Sequence, residues 1–217
     1  MAIDFSLTPE LEAIRSRVRT FVDDVVRPGE QRIEGKGDEP SLEGSERSEA
    51  LVAMRKLAHA EGLWLPHMPV EWGGMGLSHV ELAMVQAEAA RSRYGPWVLN
   101  CQAPDEGNMH TLLHWGTDQQ KEKYLKPLCS GRSWSCFAMT EPEVAGSDPT
   151  LIRTSGYPDG EEWVLNGHKW FISNAHRANF AILIARTEDD PDLPQAANTA
   201  FIIDLPQEGW NDVRQIE

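Results

Sequence analysis

Apolar residues recur at steps of three and four in the N-terminal part of the chain, which is the spacing of an amphipathic helix. In residues 7–26, LTPELEAIRSRVRTFVDDVV, one helical face carries leucine, isoleucine, valine and phenylalanine. Thr8 stands at a cap position and Pro9 at the first helical position. The pattern predicts a helix that ends near Pro28, where a charged and glycine-rich loop follows.

Further helices are predicted from the same periodicity and from their start and stop residues. Two of them begin at capping boxes, in which a Ser or Thr is followed three residues later by Glu or Gln. Glycine or proline ends three of them. The predicted helices run from about Ser48 to Glu61, from Ser78 onward, through Met109 to a stop at Gly116, and from Thr117 to a stop at Pro127.

The periodicity changes near Trp134, where short β-branched and aromatic runs begin to alternate with turn signals. Asp159-Gly160 and Asn166-Gly167 are pairs that favour two-residue hairpin turns. The runs are WSCFAM, EEWVLNG, KWFISN, NFAILIAR and TAFIIDL. The sequence therefore predicts an α+β fold, with an all-α helical domain over residues 1–133 and an antiparallel, β-barrel-like middle domain over residues 134–217.

Composition and charge narrow the class of protein. The 217 residues carry a formal charge of -14, and a field of this sign repels phosphate backbones, so no nucleic acid partner is expected. No run approaches the roughly 18 apolar residues of a transmembrane helix, so no membrane span and a cytoplasmic location are expected. The cysteines Cys101, Cys129 and Cys136 lack C-x-x-C spacing, which favours free thiols in a reducing compartment.

Three motifs, in order along the chain, resemble those of the acyl-CoA dehydrogenase family of flavoproteins. They are PVEWGGMGLS at 69–78, FAMTEPEVAGSD at 137–148 and GHKWFISNAHRANFAILIAR at 167–186. NCQAPDEGNM at 100–109 is further similar to the ACAD10/11-like long-chain branch. The resemblance covers nearly the whole chain. It implies bound FAD and α,β-dehydrogenation of an acyl-CoA thioester in fatty acid metabolism, with electrons passed on to an electron-transfer flavoprotein or a similar acceptor.

The same resemblance implies which residues contact the cofactor and the substrate. Those predicted to bind FAD are Phe137, Met139, Thr140, Gly146, Ser147, Phe171, Ile172 and Ser173, and Ser147 is also predicted to bind the acyl-CoA. Phe171 is expected to pack on the flavin ring and Ser173 to hydrogen-bond near its N5. If KWFISN is a strand, these two side chains share one of its faces.

The residue types suit that assignment, because a flavin ring needs an apolar wall and a few donors at its polar edge. The strand CFAM can supply the wall, and Thr140 adds a hydroxyl and a backbone N–H. The turn 146–148, Gly-Ser-Asp, can aim backbone N–H groups at a phosphate. The sequence departs from the family pattern in two places. Three residues, 143–145, separate Thr-Glu-Pro from Gly-Ser-Asp, where many members have one residue fewer, and Phe171 occupies a position where many members have Trp.

Each motif also has a purely structural interpretation. Thr-Glu-Pro alone is a common turn, and PVEWGGMGLS can be a loop whose glycines need positive φ before a capped helix.

His110 and His114 are four residues apart on a predicted helix and could ligate zinc. No Glu follows His110, which favours two solvated histidines, and no metal site is predicted.

The catalytic base is not assigned to any residue of this sequence. The resemblance implies a Glu in a C-terminal helical domain, expected beyond residue 217, and gives Glu141 no such role. The chain alone is therefore expected to bind FAD weakly or not at all and to be inactive. Three alternatives stay open: an enzyme incomplete without a C-terminal half, a non-catalytic subunit that binds flavin and acyl-CoA beside a separate C-terminal partner, and an inactive truncated product. A homo-oligomer, or a partner chain that supplies the missing domain, is expected.

Overall fold

The computed structural model of the chain describes residues 6–36, 39–188, 197–210 and 213–214. The chain forms two compact units, residues 1–106 and 107–217. The domain boundary predicted after residue 133 remains a prediction. None of the helices within the described ranges is long and apolar enough to cross a membrane.

The first unit is helical. Arg19 on its first helix forms two hydrogen bonds to the buried carboxylate of Glu88, over 3.0 and 2.6 Å, and so joins two helices that pack together. Val18 and Val85, on the same two helices, are fully buried. The helices are α1 (Pro9–Phe21), α2 (Arg27–Glu34), α3 (Gly44–Ala60), α4 (His79–Ala89), α5 (Gly95–Val98) and α6 (Asp105–Trp115), the last of which continues into the second unit.

Two of the three glycines of PVEWGGMGLS have the positive φ angles that the sequence predicts. Gly73 and Gly76 adopt φ angles of 81° and 64°, which side chains other than glycine rarely adopt. Gly74 is needed for another reason, since a Cβ atom there would lie 2.0 Å from the carbonyl oxygen of Met68. The loop ends at Ser78, whose capping box with Glu81 starts α4 as predicted.

The predicted helix ends at Pro28 and Pro127 are wrong, because the chain stays helical past both prolines. A π-helical turn precedes each of them, at Val22–Val26 and at Lys121–Leu125. A proline inside an α-helix cannot donate to the carbonyl four residues earlier and its ring clashes there. In the wider π-helical turn, backbone N–H groups bond to the carbonyl five residues earlier instead of four. The turn thereby changes the spacing between the proline and the preceding carbonyl groups.

The second unit combines short helices with a five-stranded sheet. The capping box of Thr117 and Gln120 starts its second helix as predicted. Its elements are the end of α6, α7 (Asp118–Gln120), α8 (Lys126–Cys129), β1 (Ser135–Ala138), β2 (Ser155–Asp159), β3 (Glu162–Asn166), β4 (Phe180–Arg186) and β5 (Asn198–Asp204).

The sheet is mixed, which corrects the antiparallel prediction. Strand β1 pairs in parallel with β4, from Ser135 opposite Phe180 to Ala138 opposite Leu183. Strand β4 pairs antiparallel with β5, and β2 pairs antiparallel with β3. Hairpin signals report only on strands that are neighbours in sequence, whereas β1 and β4 are joined by a long connection that allows a parallel pair. The barrel-like closure is not confirmed.

Two strand predictions are also corrected. Residues 167–179, which include KWFISN, form a loop, and the Asn166-Gly167 pair does not turn into a hairpin. Strand β2 was not predicted, because its Gly156 and Pro158 are poor strand formers. Its hairpin with β3 does form, but Asp159 pairs with Glu162, so the two turn residues lie one position later than predicted.

Candidate functional site

The predicted site residues of the second unit come from two segments that are hydrogen-bonded to each other. The backbone N–H of Trp170 donates to the carbonyl oxygen of Thr140 over 3.0 Å. The ammonium group of Lys169 donates to the carbonyl oxygen of Met139 over 2.9 Å. The chain that follows β1 is therefore fixed to the loop that contains KWFISN.

This loop then runs along β1 in the opposite direction. Lys169 and Trp170 lie beside the end of the strand, whereas the side-chain amide of Asn174 donates to the carbonyl oxygen of Ser135, at its start, over 3.3 Å. Among the described strands, β4 alone pairs with β1, so the loop lies at the other edge. Residues 171–173 consequently lie along the free edge of β1.

Aromatic side chains are exposed on both segments. Phe137 is the exposed residue of β1, between the buried Cys136 and Ala138. Phe171 is 63% exposed, and its ring centroid lies 4.4 Å from that of Trp170. The adjacent exposed rings of Trp170 and Phe171 form an apolar surface that an apolar ligand could cover.

The backbone of Phe171 is held in the left-handed region, with a φ angle of 52°. This conformation is uncommon for bulky side chains and costs on the order of 1–3 kcal/mol, so the surrounding contacts must hold it. The segment is not a strand, yet Phe171 and Ser173 are both exposed, while Ile172 between them packs inward.

The predicted cofactor residues differ in burial. Ser173 is exposed, while Met139 and Thr140 are partly buried. Ile172 packs against the buried cluster of Ala138, Leu183 and Ala185. Its side chain therefore contributes to the core of the sheet, and its contact with FAD remains a prediction.

The Gly-Ser-Asp turn lies next to Thr140. A Cβ atom at Gly146 would lie 2.9 Å from the methyl carbon of Thr140, so the two residues are in close contact. Ser147 is exposed. The carboxylate of Asp148 accepts hydrogen bonds from the backbone N–H and the hydroxyl of Thr150, over 3.0 and 2.6 Å, and thus shapes its own turn.

Glu141 is a buried carboxylate in the middle of this arrangement. It accepts hydrogen bonds from the ammonium of Lys169 over 2.8 Å, from the backbone N–H groups of Arg153 and Thr154 over 2.8 Å each, and from the Thr154 hydroxyl. Burial raises the pKa of Glu141, but these hydrogen bonds outweigh it and lower the pKa to about 2. Burial also lowers the pKa of Lys169, in part offset by Glu141.

A carboxylate in this state is a poor general base, because its pKa is far below neutral pH and its oxygens are already occupied. That Glu141 has no base role remains a prediction. Its partners Lys169 and Thr154 were not predicted as site residues. No local sequence pattern could reveal them, since Lys169 lies 28 positions and Thr154 lies 13 positions after Glu141.

Gly167 is a further residue of this cluster that sequence reasoning assigned differently. It was predicted to provide a positive φ in a hairpin turn. A Cβ atom at this position would lie 2.2 Å from the Thr154 hydroxyl oxygen, which donates to Glu141. Close approach to Thr154 explains the glycine.

The remaining candidates are the histidine pair and the three cysteines. No group of three or more His, Cys, Asp or Glu side chains there could hold a metal ion. The rings of His110 and His114 are nearly parallel, 6.2 Å apart. The three cysteines are free, as predicted, and buried, and burial raises the pKa of the Cys101 and Cys129 thiols to about 12.

Both parts of the chain match domains of one family. Residues 8–132 match the acyl-CoA dehydrogenase N-terminal domain and residues 136–217 match the acyl-CoA dehydrogenase middle domain. The chain belongs to the acyl-CoA dehydrogenase family. This confirms the resemblance, and the relatives named family members 10 and 11 confirm the likeness to that branch.

One such relative is the human acyl-CoA dehydrogenase family member 11, which is 35% identical over 189 residues. The match covers 85% of this chain and 24% of the human protein. The chain thus spans about a quarter of this curated relative.

Solved structures show the same fold. A Mycobacterium abscessus structure described as an acyl-CoA dehydrogenase superposes with a TM-score of 0.85 at 31% identity, over 94% of this chain and 52% of that one. A glutaryl-CoA dehydrogenase from Mycobacterium smegmatis, solved in complex with FADH2, has a TM-score of 0.69 at 25% identity, over 94% and 47% of the two chains.

Proposed function

We propose that the second unit binds the isoalloxazine ring of FAD along the free edge of β1. The observation that carries this proposal is the pair of contacts from Lys169 and Trp170 to Met139 and Thr140, which joins the two motifs at that edge. The reduced flavin in the related glutaryl-CoA dehydrogenase structure supports the same cofactor.

The residue types at this edge fit a flavin. Phe137 and Phe171 offer exposed rings for the apolar body of the cofactor, and Thr140 and Ser173 offer hydroxyl donors for its polar edge. Gly146 fits closely beside Thr140, where a larger residue would displace the Thr140 side chain. Gly146 and Ser147 are proposed to contact the pyrophosphate through backbone N–H groups.

When bound, FAD supplies the two-electron oxidation chemistry that the protein side chains lack. The residues of this chain bind and orient it: Thr140 and Ser173 donate hydrogen bonds to its polar edge, and Phe171 covers its apolar face. Met139 and Ile172 are proposed to line the same wall. In this arrangement Glu141 does not move a proton, because it stays ionised and fully hydrogen-bonded.

The proposed reaction is α,β-dehydrogenation of an acyl-CoA thioester, with Ser147 also contacting the substrate. The proposal assigns no base within residues 1–217 and takes it to be provided by a C-terminal half, in the same chain or as a partner. An electron-transfer flavoprotein is the proposed acceptor. These assignments rest on membership of the family.

The test combines FAD binding with a turnover assay. FAD is titrated into the chain, alone and together with the C-terminal half of a family relative, and flavin fluorescence is followed. Dye reduction is then measured with octanoyl- to palmitoyl-length thioesters and, separately, with NADH. We expect saturable FAD binding that strengthens with the added half, and thioester-dependent dye reduction only when both halves are present.

The outcomes separate the alternatives. No saturable FAD binding in either arrangement would overturn the proposal. Binding without any turnover in the presence of the second half would favour a non-catalytic subunit. Reduction by NADH as fast as by the thioesters would contradict the substrate class, since the sequence lacks a dinucleotide fingerprint.

A further inference from the structure

We infer that the buried ion pair of Glu141 and Lys169 is a positioning device that holds Phe171 in its left-handed conformation and so presents the Phe171 ring to the flavin. The inference rests on the proposed function for the identity of the ligand. The holding of the loop by the pair can be measured without FAD.

The pair is built into the interior at the junction of two segments. The side chains of Glu141 and Lys169 are only 2% and 8% exposed. The ammonium of Lys169 contacts both the Glu141 carboxylate and the carbonyl oxygen of Met139. One cation thus fixes the start of the loop to two positions after β1, residues 139 and 141.

The strained residue lies directly after this junction. Lys169 is tied to Met139 and Glu141, Trp170 is tied to Thr140, and Phe171 follows with a φ angle of 52°. A bulky residue keeps such a conformation only when neighbouring contacts over-determine it. The two fixed residues before Phe171 provide that constraint, and the ring is left 63% exposed.

Burial makes the pair sensitive to the removal of one partner. A buried carboxylate or ammonium without its partner keeps its desolvation cost, so breaking the pair is far more damaging than breaking an exposed one. The loss should therefore open the junction, and Phe171 should relax out of the left-handed region.

An exposed pair between the same two segments offers a matched control. His168 Nδ1 lies 3.5 Å from a carboxylate oxygen of Glu143, with side chains 68% and 47% exposed. His168 directly precedes Lys169, and Glu143 lies two positions after Glu141. Exposed contacts of this kind contribute little, so Glu143→Gln removes a negative charge at the same junction without releasing the loop.

The first experiment is amide hydrogen exchange on the chain without FAD. Glu141→Gln and Lys169→Met, each alone and combined, are compared with Glu143→Gln and the wild type. We expect the amide of Trp170, which donates to Thr140, to exchange roughly tenfold faster or more in each single variant, the loss of about one buried hydrogen bond. The double variant should show less than the summed effect.

A second substitution separates positioning of Phe171 from general loss of structure. Asn adopts the left-handed region far more readily than Phe. If the pair works against the strain at residue 171, then Phe171→Asn in the Lys169→Met background should restore most of the protection of Trp170. A purely structural role of the pair would leave the exchange of Trp170 as fast as in Lys169→Met alone.

FAD affinity completes the test. We expect the dissociation constant to rise by about tenfold in Glu141→Gln and to stay near the wild-type value in Glu143→Gln. Unchanged exchange of Trp170 in both single variants, or no recovery with Phe171→Asn, would overturn the inference. A wild-type chain that binds no FAD, either alone or with the C-terminal half of a family relative, would overturn the proposed function instead, and the exchange data would still decide whether the pair holds the loop.

Discussion

The backbone N–H of Trp170 donates to the carbonyl oxygen of Thr140 over 3.0 Å. The two bonded residues are thirty positions apart in sequence. One belongs to the motif that follows β1, and the other belongs to the motif in the loop along β1. The bond holds the segment that carries Phe137 and Thr140 beside the segment that carries Phe171 and Ser173.

The hydroxyl groups of Thr140 and Ser173 are expected to bind the flavin. Thr140→Ala and Ser173→Ala should each weaken FAD binding by about 1–3 kcal/mol, the cost of a lost hydrogen-bond partner in a buried interface. Ser155→Ala, at an exposed position of β2, is the control and should leave the affinity unchanged. Fluorescence titration measures all three, and equal affinity in all three would remove the assignment.

Gly146→Ala tests the contact between the Gly-Ser-Asp turn and Thr140. The added methyl group would lie 2.9 Å from the Thr140 methyl carbon, so either the turn or the Thr140 side chain must shift. Because the turn is exposed, we expect weaker FAD binding with a melting temperature close to wild type. Gly107→Ala, where a Cβ would meet no atom within 4 Å, is the control. A Gly146→Ala chain with wild-type affinity would place the pyrophosphate elsewhere.

Gly167→Ala tests the close packing around Glu141. The new Cβ atom would lie 2.2 Å from the Thr154 hydroxyl oxygen, and this contact is to a residue fixed by Glu141. Overpacking of this kind typically costs about 1–3 kcal/mol, so the free energy of unfolding should fall by that amount. Chemical denaturation measures it. A stability equal to that of the wild type would show that the cluster is loosely packed.

Glu141 should make the stability of the chain dependent on acidic pH. The pKa is lowered from 4.5 to about 2 in the folded chain, so the folded state binds fewer protons than the unfolded state between these values. The stabilisation is therefore complete above the unfolded pKa and is lost as the pH falls toward about 2, by on the order of 2–3 kcal/mol. The difference in unfolding free energy between wild type and Glu141→Gln should shrink over this window. A difference independent of pH would contradict the lowered pKa.

Local features of the fold were predictable from the sequence. The capping boxes at Ser78 and Thr117 and the positive φ angles of Gly73 and Gly76 depend on neighbouring residues alone, and all of them are confirmed. The motif that contains Thr140 was recognised for the same reason, since its residues are contiguous.

Features that depend on distant partners were not predictable. KWFISN has the composition of a strand. It forms a loop instead, in which Lys169 is paired with Glu141 and Phe171 adopts a left-handed backbone conformation. The parallel pairing of β1 with β4 likewise depends on the long connection between them. The helix end at Pro28 was predicted wrongly because the sequence does not show the π-helical turn that precedes this proline.

The central claim, that a flavin binds along the free edge of β1, is tested most directly by amide chemical-shift mapping with FAD. The method detects weak binding, which suits a chain expected to hold FAD weakly when alone. We predict that the largest FAD-dependent shifts fall on residues 137–141, 146–147 and 169–174 and are reduced in the Thr140→Ala, Ser173→Ala double variant. Shifts that are absent, or that cluster on another surface such as that around the exposed Trp115, would contradict the account.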